Sequence, residues 1–196
     1  MIYRSCIKKI LDKVIAFISM IILSPIFLVL ILCIKLDSKG PIFFKQRRIT
    51  KDKTEFLILK FRTMKIDTPS DMPTHLLKNP EQYITRVGKF LRKSSLDELP
   101  QIINILKGEM SIIGPRPALW NQFDLIAERD KYGANEILPG LTGWAQINGR
   151  DEIPIELKSK LDGEYAKKIS FIFDLKVFFK TIFNVITSDG VKEGNT

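Results

Sequence analysis

Histidine is nearly absent from this 196-residue sequence, with His75 alone, and cysteine is represented only by Cys6 and Cys33. There is no C-x-x-C pair and no Cys/His cluster, which excludes a disulfide scaffold and a structural zinc site. His75 sits among the three prolines of Ile66–Pro80 and reads as a loop residue rather than a catalyst. Neither the P-loop nor the G-x-G-x-x-G spacing occurs, so a standard nucleotide cradle is missing. Glycine (11) and proline (10) are too few for a collagen-like or low-complexity chain, and 45% apolar residues exclude disorder. Acidic residues are in the minority, 22 against 31 Lys+Arg, for a net charge of +9.

What the chain does have is an uncharged run. Val14 to Ile34 is 21 residues long, and fifteen of them are Ile, Leu, Val or Phe. At roughly −0.4 kcal/mol each, insertion into a bilayer gains about 6 kcal/mol before polar terms. The length exceeds that of a signal-peptide core, and no small-residue cleavage site follows. Ser24-Pro25 stands in the middle. Proline removes a helical donor and disfavours helix at the residue before it, so the run is expected to be two half-helices of 11 and 10 residues. Each half is about 15 Å long, half of a hydrocarbon core of about 30 Å. Either a kinked helix spans the bilayer, or the chain dips in, turns at Ser24-Pro25 and leaves on the same side. Arg4, Lys8, Lys9 and Lys13 precede the run; Lys35, Lys39, Lys45, Arg47 and Arg48 follow it. Basic flanks stay cytoplasmic, and a spanning helix would push one of them outward.

The remainder reads as α+β and mainly helical. Pro41–Arg48 and Glu55–Arg62 form a hairpin about the polar turn Ile49–Thr54. Tyr83–Arg92, Leu99–Lys107, Trp120–Tyr132 and Ile153–Lys168 read as helices, and Leu138–Arg150 as a glycine-bearing loop. Ile169–Thr187 puts Lys176, Lys180 and Asn184 on one face and phenylalanines over most of the rest. It is either a core helix or, favoured beside a membrane segment, a helix lying in the interface. Residues 1–40 form a membrane-associated segment packed as one unit with a cytoplasmic domain over 41–196.

Chemistry concentrates in four strings. Ser95-Leu-Asp97-Glu98-Leu-Pro100 reads as a helix start, with Ser95 and Glu98 at capping-box spacing, or as a carboxylate pair in a basic surround able to bind Mg²⁺ or attack phosphorus. Gly114-Pro-Arg116-Pro117 is a rigid turn or an arginine pre-set for bidentate phosphate binding. Lys60-Phe-Arg62-Thr-Met64 ends the hairpin with two cations that guard a strand edge or bind an anion. Pro139-Gly-Leu-Thr-Gly-Trp-Ala-Gln146, continuing to Arg150, carries three glycines that allow close approach to a ligand. Together these suit a diphosphate substrate at a membrane surface.

In this order the four strings resemble the bacterial sugar transferase family, and more narrowly its small monotopic phosphoglycosyl transferases; the resemblance runs from Lys8-Lys9-Ile-Leu-Asp12 to Asp189-Gly190. It implies transfer of a sugar-1-phosphate from a UDP-sugar to polyprenol (undecaprenyl) phosphate, releasing UMP, at the start of capsule, O-antigen or glycoprotein glycan assembly. It further implies Asp97 as nucleophile and Mg²⁺ ligand, with Glu98 assisting proton transfer or metal binding. Lys60, Arg62, Arg92, Arg116 and Arg150 would hold phosphate. The family's Ser-Pro break falls on Ser24-Pro25 and favours the re-entrant topology, at the cytoplasmic face of the inner membrane. No counterpart to the large N-terminal region of longer relatives is expected. Gly114–Gln122 and Asp71–Leu77 resemble relatives that use N-acetylated 6-deoxy sugars. A homo-oligomer is compatible with the sequence.

Two other classes compete. A membrane-anchored basic scaffold protein of a polysaccharide assembly system would need only diffuse charge, which the arginine-specific motifs disfavour. A nucleic-acid binder fits net +9 but lacks a recognition motif, so no nucleic acid is expected as a partner.

Overall fold

A computed structural model describes residues 2–68, 80–149 and 153–187. His75, Arg150 and the segment Asp71–Leu77 lie outside the described residues. After a π-helical turn over Tyr3–Ile7, helix α1 runs without interruption from Lys8 to Asp37, with Pro25 inside it. The expected break at Ser24-Pro25 is therefore not a break in the helix. Proline deprives the carbonyl four residues back, Ile21, of its donor. The Ser24 hydroxyl supplies the replacement, donating to Ile21 O at 2.8 Å.

One stripe of α1 is buried at spacings of three and four: Lys8, Asp12, Ala16, Phe27, Leu30 and Ile34, with Met20 and Leu23 packed between. The opposite face is apolar and exposed; Phe17, Ile21, Ile22, Leu28 and Leu32 are each at least 59% accessible.

The buried stripe lies on the expected hairpin. Strands β1 (Phe43–Ile49) and β2 (Glu55–Phe61) pair antiparallel from Phe43↔Phe61 to Ile49↔Glu55. Phe56 and Ile58 join Ala16 in one cluster with Ile102, Ile105 and Met110. Phe61 joins Phe27, Leu30, Ile34 and Leu91 in another, with the Phe27 and Phe61 rings 5.3 Å apart.

Helix α2 (Arg86–Lys93) starts later than expected, because Thr85 caps it by accepting from Gly88 N at 2.9 Å. Helix α3 (Gln101–Lys107) follows, then β3 (Ser111–Ile113) and α4 (Phe123–Asp130). The expected loop Leu138–Arg150 contains strand β4 (Gly140–Thr142), parallel to β3, and helix α5 (Trp144–Ile147). Elements of three and four residues are too short to show a hydrophobic period. Gly140 and Gly143 allow close approach of the Gly114 backbone: a Cβ on Gly140 would stand 2.1 Å from Gly114 N, and one on Gly143 2.0 Å from Gly114 O.

Helices α6 (Ile155–Lys168) and α7 (Phe171–Ile186) complete the chain. Helix α7 buries Asp174 and Val177 and leaves Phe171, Ile172, Phe179 and Phe183 exposed. Lys176 and Lys180 lie over the Trp144 ring, at 5.0 and 5.9 Å from its centroid. A buried polar network ties α1 to α7. Asp174 accepts from Lys8 Nζ at 2.8 Å, Tyr3 OH at 2.7 Å and Tyr165 OH at 2.6 Å, while Asp12 accepts from Ser111 Oγ at 2.6 Å. Burial, reinforced by the Asp174 charge, holds both phenols well above their ordinary range, so they remain donors.

Candidate active site

Asp97 and Glu98 occupy a single 3₁₀ turn, Leu96–Glu98, between α2 and α3. Ser95 precedes it in the left-handed region (φ 56°, ψ 15°), an uncommon conformation for a residue with a Cβ. Ser95 makes no side-chain cap; its amide instead donates back to Arg92 O at 3.2 Å, closing α2. The capping-box reading therefore fails, and Glu98 is free to reach elsewhere.

It reaches two cations. Lys60 Nζ on β2 stands 2.7 Å from Glu98 Oε1 and 3.7 Å from Asp97 Oδ2, and Arg116 Nη2 is 3.2 Å from the same Glu98 oxygen. Strand β2, which carries Lys60, is bonded to Asn104 of α3, which is fully buried. The Asn104 side chain accepts from Leu59 N at 3.0 Å and donates to Leu57 O at 2.8 Å, so it fixes β2 against the helix that begins just after the carboxylates. Arg92, in the last turn of α2, has no carboxylate within 4 Å among the described residues; its Nη1 lies 3.7 Å from Met64 Sδ. Its charge nonetheless acts on Asp97.

The two carboxylates are driven apart electrostatically. Burial pushes Asp97 above the usual carboxylate range and the Glu98 charge adds to this, outweighing Lys60, Arg92 and Arg116. Burial also raises Glu98, but Lys60 and Arg116 overcome it and hold its carboxyl at about 2. Glu98 is thus the permanent anion that organises the cations. Asp97 is the under-compensated one: no hydrogen bond engages it among the described residues, and its side chain keeps 14% exposure. Adjacent carboxyls with diverging environments are the arrangement by which sites divide roles.

No group of three potential metal ligands exists among the described residues. Mg²⁺ needs no such cage, since it is commonly held by one or two carboxylates plus substrate phosphates. The charge-hungry Asp97 fits that use, with Glu98 already occupied.

Not every candidate comes to this place. Arg62 is 5% exposed, and its guanidinium donates to Lys39 O at 2.6 Å, Ser38 O at 2.7 Å and Ser38 Oγ at 2.9 Å. It closes the end of α1 rather than facing the carboxylates. Ser24 and Pro25 lie on the exposed side of α1. Asn104, bonded to β2, carried no motif; its signal was a polar residue interrupting the apolar string Ile102-Ile-Asn-Ile105.

The model of the family described as bacterial sugar transferase matches residues 3–188. An uncharacterised sugar transferase, EpsL, of Bacillus subtilis (strain 168) is 39% identical over 189 residues, covering 96% of this chain and 92% of that protein. The UDP-glucose:undecaprenyl-phosphate glucose-1-phosphate transferase of Escherichia coli (strain K12) is 38% identical, covering 90% of this chain and 39% of that protein. The UDP-N-acetylgalactosamine-undecaprenyl-phosphate N-acetylgalactosaminephosphotransferase of Aeromonas hydrophila is 37% identical, covering 95% of this chain and 45% of that protein. The chain thus spans less than half of these two relatives whose substrates are named.

Proposed function

The chain belongs to the bacterial sugar transferase family, and from that premise we propose that it moves a sugar-1-phosphate from a UDP-sugar to undecaprenyl phosphate, with Asp97 as the nucleophile. An Asp97 oxygen forms a bond to the sugar-side phosphorus, and the bond from that phosphorus to the bridging oxygen breaks. UMP leaves with the bridging oxygen. A phosphate oxygen of the polyprenol phosphate then attacks the same phosphorus, freeing Asp97 and yielding polyprenyl-diphosphate-sugar. Lys60, Arg92 and Arg116 neutralise the phosphate oxygens, and Glu98 keeps Lys60 and Arg116 in place. Asp97 would hold Mg²⁺, which would supply further charge neutralisation when bound.

The observation that carries this reading is the contrast within the pair. Glu98 Oε1 receives both Lys60, at 2.7 Å, and Arg116, at 3.2 Å, whereas Asp97, one residue away, has only the longer 3.7 Å ion pair with Lys60 among the described residues. A diffuse lipid-binding surface has no need of such a division.

The membrane side follows from α1. Its outward apolar face and that of α7 are wetted by lipid acyl chains in this reading, and the basic flanks keep the domain at the cytoplasmic face of the inner membrane. Same-side entry and exit is supported by where the helix ends are held: Lys8 by Asp174, and Asp37 by Val87 N at 3.0 Å. Both anchors belong to one domain. The acceptor phosphate then meets Asp97 near the headgroup plane. The sugar is an N-acetylated 6-deoxy sugar, and the step starts a capsule, O-antigen or glycoprotein glycan.

The test is UMP release by the purified protein with undecaprenyl phosphate across a panel of UDP-sugars. Release from one or a few sugars, lost in Asp97→Asn with the fold intact, is expected. Unchanged release in Asp97→Asn contradicts the mechanism, and none from any sugar contradicts the reaction.

A further inference from the structure

Proline has no amide hydrogen, so the Gly114-Pro115-Arg116-Pro117 loop is held mainly through its carbonyls. Pro115 O accepts from Gly140 N at 2.8 Å, Pro117 O from Arg48 Nη1 at 2.9 Å, and Ala118 O from Ile49 N at 2.9 Å. The carbonyl of Arg116 itself accepts from Arg129 Nη1 at 3.0 Å. Arg129, on α4, is 4% exposed and Asp162, on α6, is 1% exposed. The other edge of the Arg129 guanidinium meets Asp162 Oδ2, from Nε at 2.9 Å and from Nη2 at 2.6 Å. One planar cation therefore bridges a buried carboxylate and the backbone of the residue whose side chain touches Glu98.

A buried ion pair contributes little net stability, because desolvation offsets the attraction; apolar residues of similar size often do as well. Its worth here lies in geometry. Glu98 sits 3.2 Å from Arg116 Nη2, and the Arg116 carbonyl accepts from the planar guanidinium of Arg129. A lysine in place of Arg129 could not reach both partners with a fixed fork.

We propose that Arg129, oriented by Asp162, is a positioning residue that fixes the Arg116 backbone and so aims its guanidinium into the phosphate-binding cluster. The inference rests on the function proposed above, in which Arg116 binds phosphate. Arg129 touches no substrate; it acts through Arg116.

The decisive variant is Arg129→Met/Asp162→Asn, which removes both charges together and leaves neither stranded in the interior. UMP-release kinetics and thermal unfolding are measured for this pair in the wild-type and Arg116→Ala backgrounds. The expected result is near-wild-type melting with a loss on the order of 10-fold in kcat/KM. In the Arg116→Ala background the same replacement changes kcat/KM by less than about 2-fold, the signature of a shared route. Equal losses in both backgrounds, or none in either, overturn the proposal. Should the pair melt far below wild type, Arg129→Lys, which keeps a charge opposite Asp162, is read in the same two backgrounds by the same criteria. If wild type releases no UMP from any UDP-sugar, the functional reading fails separately. The positioning claim is then decided by the ¹⁵N signals of the Arg116 guanidinium, restrained in wild type and motionally averaged in the charge-free pair; identical signals overturn it.

Discussion

Lys60 Nζ lies 2.7 Å from Glu98 Oε1, an ion pair that joins the second hairpin strand to the turn carrying Asp97 and Glu98. The same ammonium stands 3.7 Å from Asp97, whose side chain keeps 14% exposure.

The pair makes stability depend on acidity. Folding lowers the Glu98 carboxyl from its ordinary 4.5 to about 2, so the folded state favours the ionised form. The contribution is complete above the ordinary value and disappears as pH falls toward about 2; its ceiling is about 3 kcal/mol, reduced by the remaining solvent access. Glu98→Gln lacks it at every pH. Denaturant unfolding across acid pH should show the gap between wild type and Glu98→Gln closing as pH is lowered. A gap independent of pH contradicts the ion-pair account.

Ser24 stands in for the amide that Pro25 lacks. In water, a solvent molecule could satisfy Ile21 O after Ser24→Ala; in lipid none can. The substitution should cost about 1–2 kcal/mol in lipid nanodiscs. The loss should vanish in a Pro25→Ala background, where the backbone amide returns. Unfolding of the four proteins in nanodiscs checks this, and a loss that persists beside Pro25→Ala contradicts it.

Arg62 was expected among the phosphate ligands and instead clamps Ser38 and Lys39. Arg62→Met should lower stability by about 1–3 kcal/mol and leave the KM for UDP-sugar within about 2-fold once the folded fraction is accounted for. A large rise in KM with unchanged melting would return Arg62 to the substrate.

The hairpin and the helices were legible because each rests on local pattern: strands rich in Phe, Ile and Leu about a polar turn, and period in the helices. The clustering of Lys60, Asp97, Glu98 and Arg116 was legible only through the family resemblance of the strings that carry them. The continuity of α1 was not legible, because the Ser24 hydroxyl donates to Ile21 O, the carbonyl that Pro25 leaves without a donor, and the sequence does not show where that hydroxyl points. Asn104 and Arg129 were also hidden. Besides their side-chain partners Glu109 and Asp162, they bond main-chain atoms of Leu57, Leu59 and Arg116, and a backbone carbonyl or amide carries no residue type to pair with. The glycines of the Pro139–Gln146 string announce close approach, but nothing in the sequence says that the visitor is Gly114 rather than a ligand.

Covalent capture at Asp97 is tested most directly by intact-mass spectrometry of the protein incubated with its UDP-sugar and Mg²⁺ in the absence of polyprenol phosphate. The expected result is a mass gain of one sugar phosphate, located on Asp97, matched by one UMP released per protein and discharged on adding the lipid acceptor. A protein that turns over with acceptor present yet never gains that mass, or gains it equally as Asp97→Asn, contradicts the account.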